Sequence, residues 1–204
     1  MPNLHWVHAS VSQALVKLAL DRRYPLSFEW PSAVPFENNL HQIVQMLVAG
    51  DWTHWLSIDA DNPPLNNPLD LVALDKDVIG LPTPIWHYLG KAGERPIYWN
   101  VYRWDAAAQA FREWTAREGL QQVDAIGTGC FLASRRVFEH PDMRAPFMRI
   151  WNASGVVEMG NDLAFCRRAR AAGFKIWAHF DYPCDHHNEL ALNDIARALK
   201  GLGG

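Results

Sequence analysis

Cysteine is scarce in this chain: Cys130, Cys166 and Cys184 are odd in number and widely separated. That spacing makes neither a zinc-ligand pattern nor a disulfide framework, and it fits a reducing compartment. Basic runs are missing too. The 19 Lys and Arg residues against 22 Asp and Glu leave a net charge of -3, so tight binding to a nucleic-acid backbone, which needs clustered cations, is not expected. No apolar run approaches the roughly 20 residues that cross a bilayer as a helix, which leaves peripheral membrane association open. The first residues turn polar too soon for the apolar core of a secretory leader. A cytoplasmic protein with no transmembrane segment and no nucleic-acid partner is the expectation. Internal repeats and low-complexity tracts are absent as well, which argues against solenoids and disordered linkers.

What is present fits a single globular domain over residues 1–204. Hydrophobic residues make up 49% and charged residues 20%, enough of each for a core and a solvated surface. Ten tryptophans are many for this length. Most large aromatics pack cores and hairpins, but indole faces also suit the apolar C–H faces of sugar rings. Trp86, Trp99 and Trp151 are examples with no one of them singled out.

Hydrophobic periodicity predicts a helix over 10–20 capped by Ser10, and a more regular one over 36–49 stopped by Gly50. Leu26 to Trp30 reads as a short strand ended by Pro31, and Trp55 to Asp59 as a buried strand. A short helix over 69–74 and a strand from Asp77 to Leu81 follow. The middle turns β-like: Ile97 to Trp104 and Ala110 to Trp114 around a hairpin connection, then Val123 to Ile126 and Cys130 to Ala133 around Gly127 and Gly129. A helix over 161–172, a strand from Lys175 to Ala178 and a closing helix over 189–200 complete the chain. Alternating helices and strands with an antiparallel insertion imply a mixed α/β sheet.

Four segments carry candidate chemistry. Asp59-Ala60-Asp61-Asn62 follows the strand at 55–59. Ligands of open α/β sheets gather at that strand end, and carboxylate oxygens suit hard cations such as Mg²⁺ and Mn²⁺. Asp-x-Asp also occurs in ordinary solvated turns. Cys184-Asp185-His186-His187 offers imidazoles that can complete a carboxylate site or simply cap the last helix. Gly160-Asn161-Asp162-Leu163 opens a helix; Asp162 there either interacts with the helix dipole or accepts a proton from an attacking hydroxyl. Gly127-Thr128-Gly129 permits close backbone approach to a ligand, or a bulge.

In this order the segments resemble the family-2-like glycosyltransferases of the GT-A fold, over roughly residues 36–188. Trp55 to Asn62 looks like the family's hydrophobic strand running into its Asp-x-Asp motif. Gly127-Thr128-Gly129-Cys130-Phe131-Leu132 and the following Arg135-Arg136-Val137-Phe138 resemble its pocket-lining strand and helix. Gly160 to Cys166 resembles the stretch written Glu-Asp-x-x-Phe/Leu, and Gly173-Phe174-Lys175-Ile176 the helix-to-strand exit. The resemblance implies an α/β fold with a mixed, mainly parallel sheet flanked by helices and carrying an antiparallel β insertion. It implies Mn²⁺ or Mg²⁺ on Asp61 and Asp59, completed by His186 with His187 as its competitor. It makes Asp162 the catalytic base, and puts Asn62, Gly127, Thr128, Gly129 and Asn161 against substrate. The activity implied is transfer of a sugar from a nucleoside-diphosphate sugar to a carbohydrate or other hydroxyl acceptor.

The chain departs from the family in opening on a polar segment and a helix, where relatives begin with the strand that holds the nucleotide base. Glu37-Asn38-Asn39 stands where many relatives carry Arg-Asn, and Asn161 replaces the first acidic residue of the later motif. These departures motivate the alternative, a non-catalytic sugar- or nucleotide-binding module that keeps the fold. A metal-dependent hydrolase is a third reading, disfavoured because no second compact ligand cluster accompanies the first.

Overall fold

The computed structural model describes residues 6–86, 97–188 and 195–196. Helix α1 spans Ala9–Leu20. His8, rather than Ser10, caps it, its Nδ1 accepting from the Ser10 amide at 3.2 Å. Val11 and Leu18, seven residues apart and so on one face, are its buried residues. The predicted strand from Leu26 to Trp30 is irregular instead, with Leu26 and Trp30 exposed. Flanked by Pro25 and Pro31 and lacking a neighbouring strand among the described residues, that apolar run joins no ladder there. Helix α2, Phe36–Ala49, turns Leu40, Val44 and Leu47 inward and stops at Gly50, as its periodicity predicts.

Strand β1 is His54–Ile58 and β2 is Val78–Gly80, joined through a 3₁₀ helix at Pro68–Leu74. Then come β3 (Pro84–Trp86), β4 (Ile97–Trp99), β5 (Val101–Asp105), β6 (Ala110–Glu113), β7 (Leu120–Val123), β8 (Ala125–Ile126) and β9 (Cys130–Ser134). The last part runs α3 (Arg135–Glu139), β10 (Ile150–Trp151), β11 (Val157–Met159), α4 (Asn161–Ala171) and β12 (Ile176–His179). Most of the predicted closing helix at 189–200 lies outside the described residues; 195 and 196 are helical.

The central sheet has the order β1-β9-β2-β12-β7. It is mixed, as expected, but not mainly parallel: β2 with β12 is its one parallel pair, and the other three pairs are antiparallel. The reason is the course of β9, which enters between β1 and β2 and runs against both. Consequently β1, β2 and β12 all point the same way, and their C-terminal ends share one edge with the start of β9.

Alternation along the strands separates two faces. Val78, Phe131, Ala133, Ile176 and Ala178 face a core that also holds Leu40, Val44 and Leu47 of α2, Phe138 of α3 and Phe165 of α4. Ile79, Cys130 and Leu132 face a smaller cluster with Leu71 of the 3₁₀ helix and Cys184. All three cysteines are free and buried. No described helix is long and apolar enough to cross a membrane.

Candidate functional site

Asp59 leaves the end of β1 with its amide donating to the Gly129 carbonyl at 2.7 Å, which anchors the Asp-x-Asp segment to the loop before β9. The chain beyond it then runs alongside the segment that follows β12. Leu65 N donates to Pro183 O at 3.0 Å, Asp185 N to Pro63 O at 3.1 Å and His187 N to Asp61 O at 2.9 Å, around a bridge between Pro64 and Cys184. This backbone pairing carries His186 across more than a hundred residues of sequence to Asp61. Its Nε2 lies 3.7 Å from Asp61 Oδ2.

The other ring nitrogen fixes the tautomer. His186 Nδ1 is 2.9 Å from the Pro84 carbonyl, which can only accept, so Nδ1 carries a proton and Nε2 is turned to Asp61. The Asp61 carboxyl is held below its usual pKa chiefly by the His186 ring, and His186 is raised chiefly by Asp61. Asp59 is pushed up to about 7, first by burial and then by the Asp61 charge, with His186 opposing and Asp162 adding. Asp61, His186 and Asp162 thus all bear on Asp59, and Asp61 and His186 on each other.

His187 takes a different place. Its ring stacks on His8 with centroids 3.6 Å apart and planes at 12°, while its buried Nε2 has no hydrogen-bond partner among the described residues. The two neighbouring histidines are thus separated by geometry: the ring of His186 meets Asp61, and that of His187 does not.

Asp162 opens α4 behind Gly160; its Oδ1 accepts from the Leu163 amide at 2.7 Å, and burial raises its pKa. The glycine loop has a packing reason of its own. A Cβ at Gly127 would meet Asn100 Nδ2 at 2.4 Å, and one at Gly129 would meet the Asn62 carboxamide at 3.2 Å. Asn62, at 4% exposure, packs beneath the loop. Thr128 and Asn161 are half-buried.

Asn100 is a residue that sequence reasoning missed. Its Oδ1 accepts from Thr83 N at 2.9 Å, its amide donates to Thr83 O at 3.1 Å, and its carbonyl accepts from Gly127 N at 2.7 Å. It splits the predicted strand Ile97 to Trp104 into β4 and β5; a polar residue inside a β-like run was its only signal. Likewise Asp124 splits the predicted strand Val123 to Ile126. Its carboxylate accepts from Trp104 N at 2.7 Å and pairs with Arg170 at 2.7 Å, so β7 joins the central sheet while β8 joins β5 and β6.

Among the described residues no three His, Cys, Asp or Glu side chains are grouped closely enough to hold a metal ion. The pair does fit in part. Oxygen and nitrogen donors 3.7 Å apart need to close only slightly to the separation of about 3 Å between neighbouring ligands of a cation bound at 2.0–2.2 Å. Two open depressions, one lined by Asp21, Arg22, Tyr24, Leu26 and Phe28 and one by His41, Val44, Val48 and Met143, include none of these residues.

No protein-family model matches the chain, and none of the curated proteins does. Among solved structures, the crystal structure of A197 from STIV is similar, with a TM-score of 0.58 over 92% of this chain and 83% of that one, at 16% identity. A likeness at that identity shows a shared fold and assigns no residue a role.

Proposed function

We propose that the chain is a GT-A-like glycosyltransferase that moves a sugar from a nucleoside-diphosphate sugar to an acceptor hydroxyl. The observation that carries this reading is the meeting of Asp61 and His186 at the edge where β1, β2 and β12 end. That edge is where ligands of α/β sheets bind. Asp61 and His186 would hold Mn²⁺ or Mg²⁺, with Asp59 beside them. Two protein donors suffice for such a cation when a diphosphate and water fill its remaining positions. Bound there, the cation supplies neutralisation of charge on the departing diphosphate.

The chain's own residues do the rest. The Pro84 carbonyl orients the His186 ring. Gly129 adjoins Asp59; donor contacts fall to Thr128 and the backbone of Gly127 and Gly129, with Asn62 supporting the loop from beneath. Asp162, whose raised pKa brings it closer to neutral, takes the proton of the attacking hydroxyl, and Asn161 flanks it. The three unpaired cysteines suit a cytoplasmic setting.

The test is calorimetric titration of UDP and GDP with and without Mn²⁺. Binding is expected to require the cation and to weaken at least tenfold, about 1.4 kcal/mol, in Asp61→Ala and in His186→Ala but not in His187→Gln. Cation-independent binding, or wild-type affinity in Asp61→Ala, overturns the reading. A second reading, a binding module without turnover, draws on the lack of a three-ligand group among the described residues. Nucleotide-sugar cleavage no faster than background, with binding intact, favours it.

A further inference from the structure

The edge that carries Asp61 and His186 is built from three segments of chain, and the third is the entry to α1. Residues 61–65 and 183–187 pair in antiparallel fashion through three backbone hydrogen bonds. The bond from His187 N to Asp61 O, at 2.9 Å, is the outermost of them on the side of the site. Asp61 is a member of that rung and His186 sits next to it in the chain. End rungs of a ladder open most easily, because nothing beyond them has to break first. The 3.7 Å approach of Asp61 and His186 is therefore set at the weakest point of the pairing.

His8 grips both sides of that point. Its amide donates at 2.8 Å to the carbonyl of Ala60, the residue between the two aspartates. Its ring lies flat on that of His187, with centroids 3.6 Å apart and planes at 12°. One residue thus touches both strands of the rung, the first through its backbone and the second through its side chain. The His8 ring is itself oriented by the Ser10 amide, which donates to Nδ1 at 3.2 Å, and the His8 carbonyl accepts from Ser12 N at 3.0 Å as α1 begins. Val11 and Leu18 are buried and fix the helix to the body of the fold, so the grip is made from a rigid base. The buried Nε2 of His187 has no hydrogen-bond partner among the described residues. Leaving such an atom unpaired is unfavourable, which makes the face against His8 the contact that places this ring.

We infer that His8 is a positioning residue: it clamps the outermost rung shut from the N-terminal side and so keeps His186 within reach of Asp61 for a shared cation. The inference rests on the transferase reading for what the cation does, and on the geometry alone for the clamp. The two jobs of the His8 side chain are separable by substitution. His8→Ser keeps an oxygen that accepts from the first helical amides and removes the ring. His8→Phe keeps a flat ring for His187 and removes the acceptor.

The experiment measures three things on the full chain: amide exchange at His187 by NMR, the thermal midpoint, and calorimetric UDP affinity in the presence of Mn²⁺. In His8→Ser, exchange at His187 is expected to quicken and UDP binding to weaken, each about threefold or more, within what one stacked aromatic pair contributes. Exchange in β9 and the thermal midpoint should stay at wild-type values. His8→Phe should do the reverse, lowering the midpoint while His187 exchange and UDP affinity stay within about twofold of wild type, since an aromatic face remains. His187→Ala should match His8→Ser, whereas His187→Gln, whose carboxamide keeps a flat face, should lose less. The His8→Ser, His187→Ala double variant should lose no more than either change alone, because both remove the same contact. Wild-type exchange at His187 in His8→Ser, equal losses in the Ser and Phe variants, or faster exchange spread through β9 overturns the inference. Where the wild type binds UDP, faster exchange at His187 with unchanged UDP affinity also overturns it, because the site then has no need of the clamp. If the wild type shows no Mn²⁺-dependent UDP binding, the transferase reading falls and exchange alone decides the clamp: quickening confined to His187 in His8→Ser, and absent in His8→Phe, still supports it.

Discussion

Asp162 shows how one burial sets both chemistry and stability. Burial disfavours its charged form, so its folded pKa lies above the 3.8 of a free side chain. Between those two values the folded chain binds more protons than the unfolded chain, which makes the slope of unfolding free energy with pH negative for this group. Its favourable contribution is complete below about pH 4 and is lost as pH rises through the folded pKa. Asp162→Asn should therefore flatten the fall in urea midpoint between pH 4.5 and pH 8. The same fall in variant and wild type would contradict this assignment of the shift. Asn keeps an oxygen for the Leu163 amide, so the helix start survives the change. At this scale the sequence singled out the candidate residues, but it could not choose between His186 and His187. Adjacent residues on an extended segment point in opposite directions, and only the neighbours, Asp61 and Pro84 for one ring and His8 for the other, separate them.

Among the elements, α4 connects the site to the core. Its first turn carries Asp162, and one turn further on Phe165 is fully buried. The Phe165 ring stacks on Phe147 with centroids 4.6 Å apart, and Phe131 and Phe138 each lie at 5.9 Å. Truncating it removes a large buried surface and leaves a cavity that rigid neighbours cannot close. Phe165→Ala is expected to cost about 3–5 kcal/mol, measured by urea unfolding; a loss under about 1 kcal/mol would show that the cluster relaxes around the gap. The periodicity of α2 and the end of α4 near Gly173 were legible because a helix repeats its pattern locally. The middle strands were legible as β structure but not as separate strands. Asn100 and Asp124 end ladders through hydrogen bonds to Thr83, Gly127, Trp104 and Arg170, partners that lie far away in sequence or on other elements.

At the level of the whole molecule, stability should be uneven. Strands β9, β2 and β12 are covered on both faces, by the helices on one and by the 3₁₀ helix and the segment after β12 on the other. The β10–β11 hairpin leaves Trp151, Val156 and Val157 exposed and pairs with no further strand among the described residues. Hydrogen exchange should accordingly be slowest at the amides of β9, β2 and β12 and faster by orders of magnitude in β10 and β11. Comparable protection in the hairpin would mean that it is covered in solution.

The sequence by itself determined the class of fold, the buried face of α2, the extent of α4, and which acidic, imidazole and glycine segments are candidates for chemistry, because propensity and periodicity act over a few residues. The tertiary structure decided strand direction and proximity. The predominance of antiparallel pairing follows from β9 running between β1 and β2, and the approach of His186 to Asp61 follows from the backbone pairing of 61–65 with 183–187. Neither leaves a local signal, because strand partners are chosen by hydrogen bonds and burial between segments that are distant along the chain.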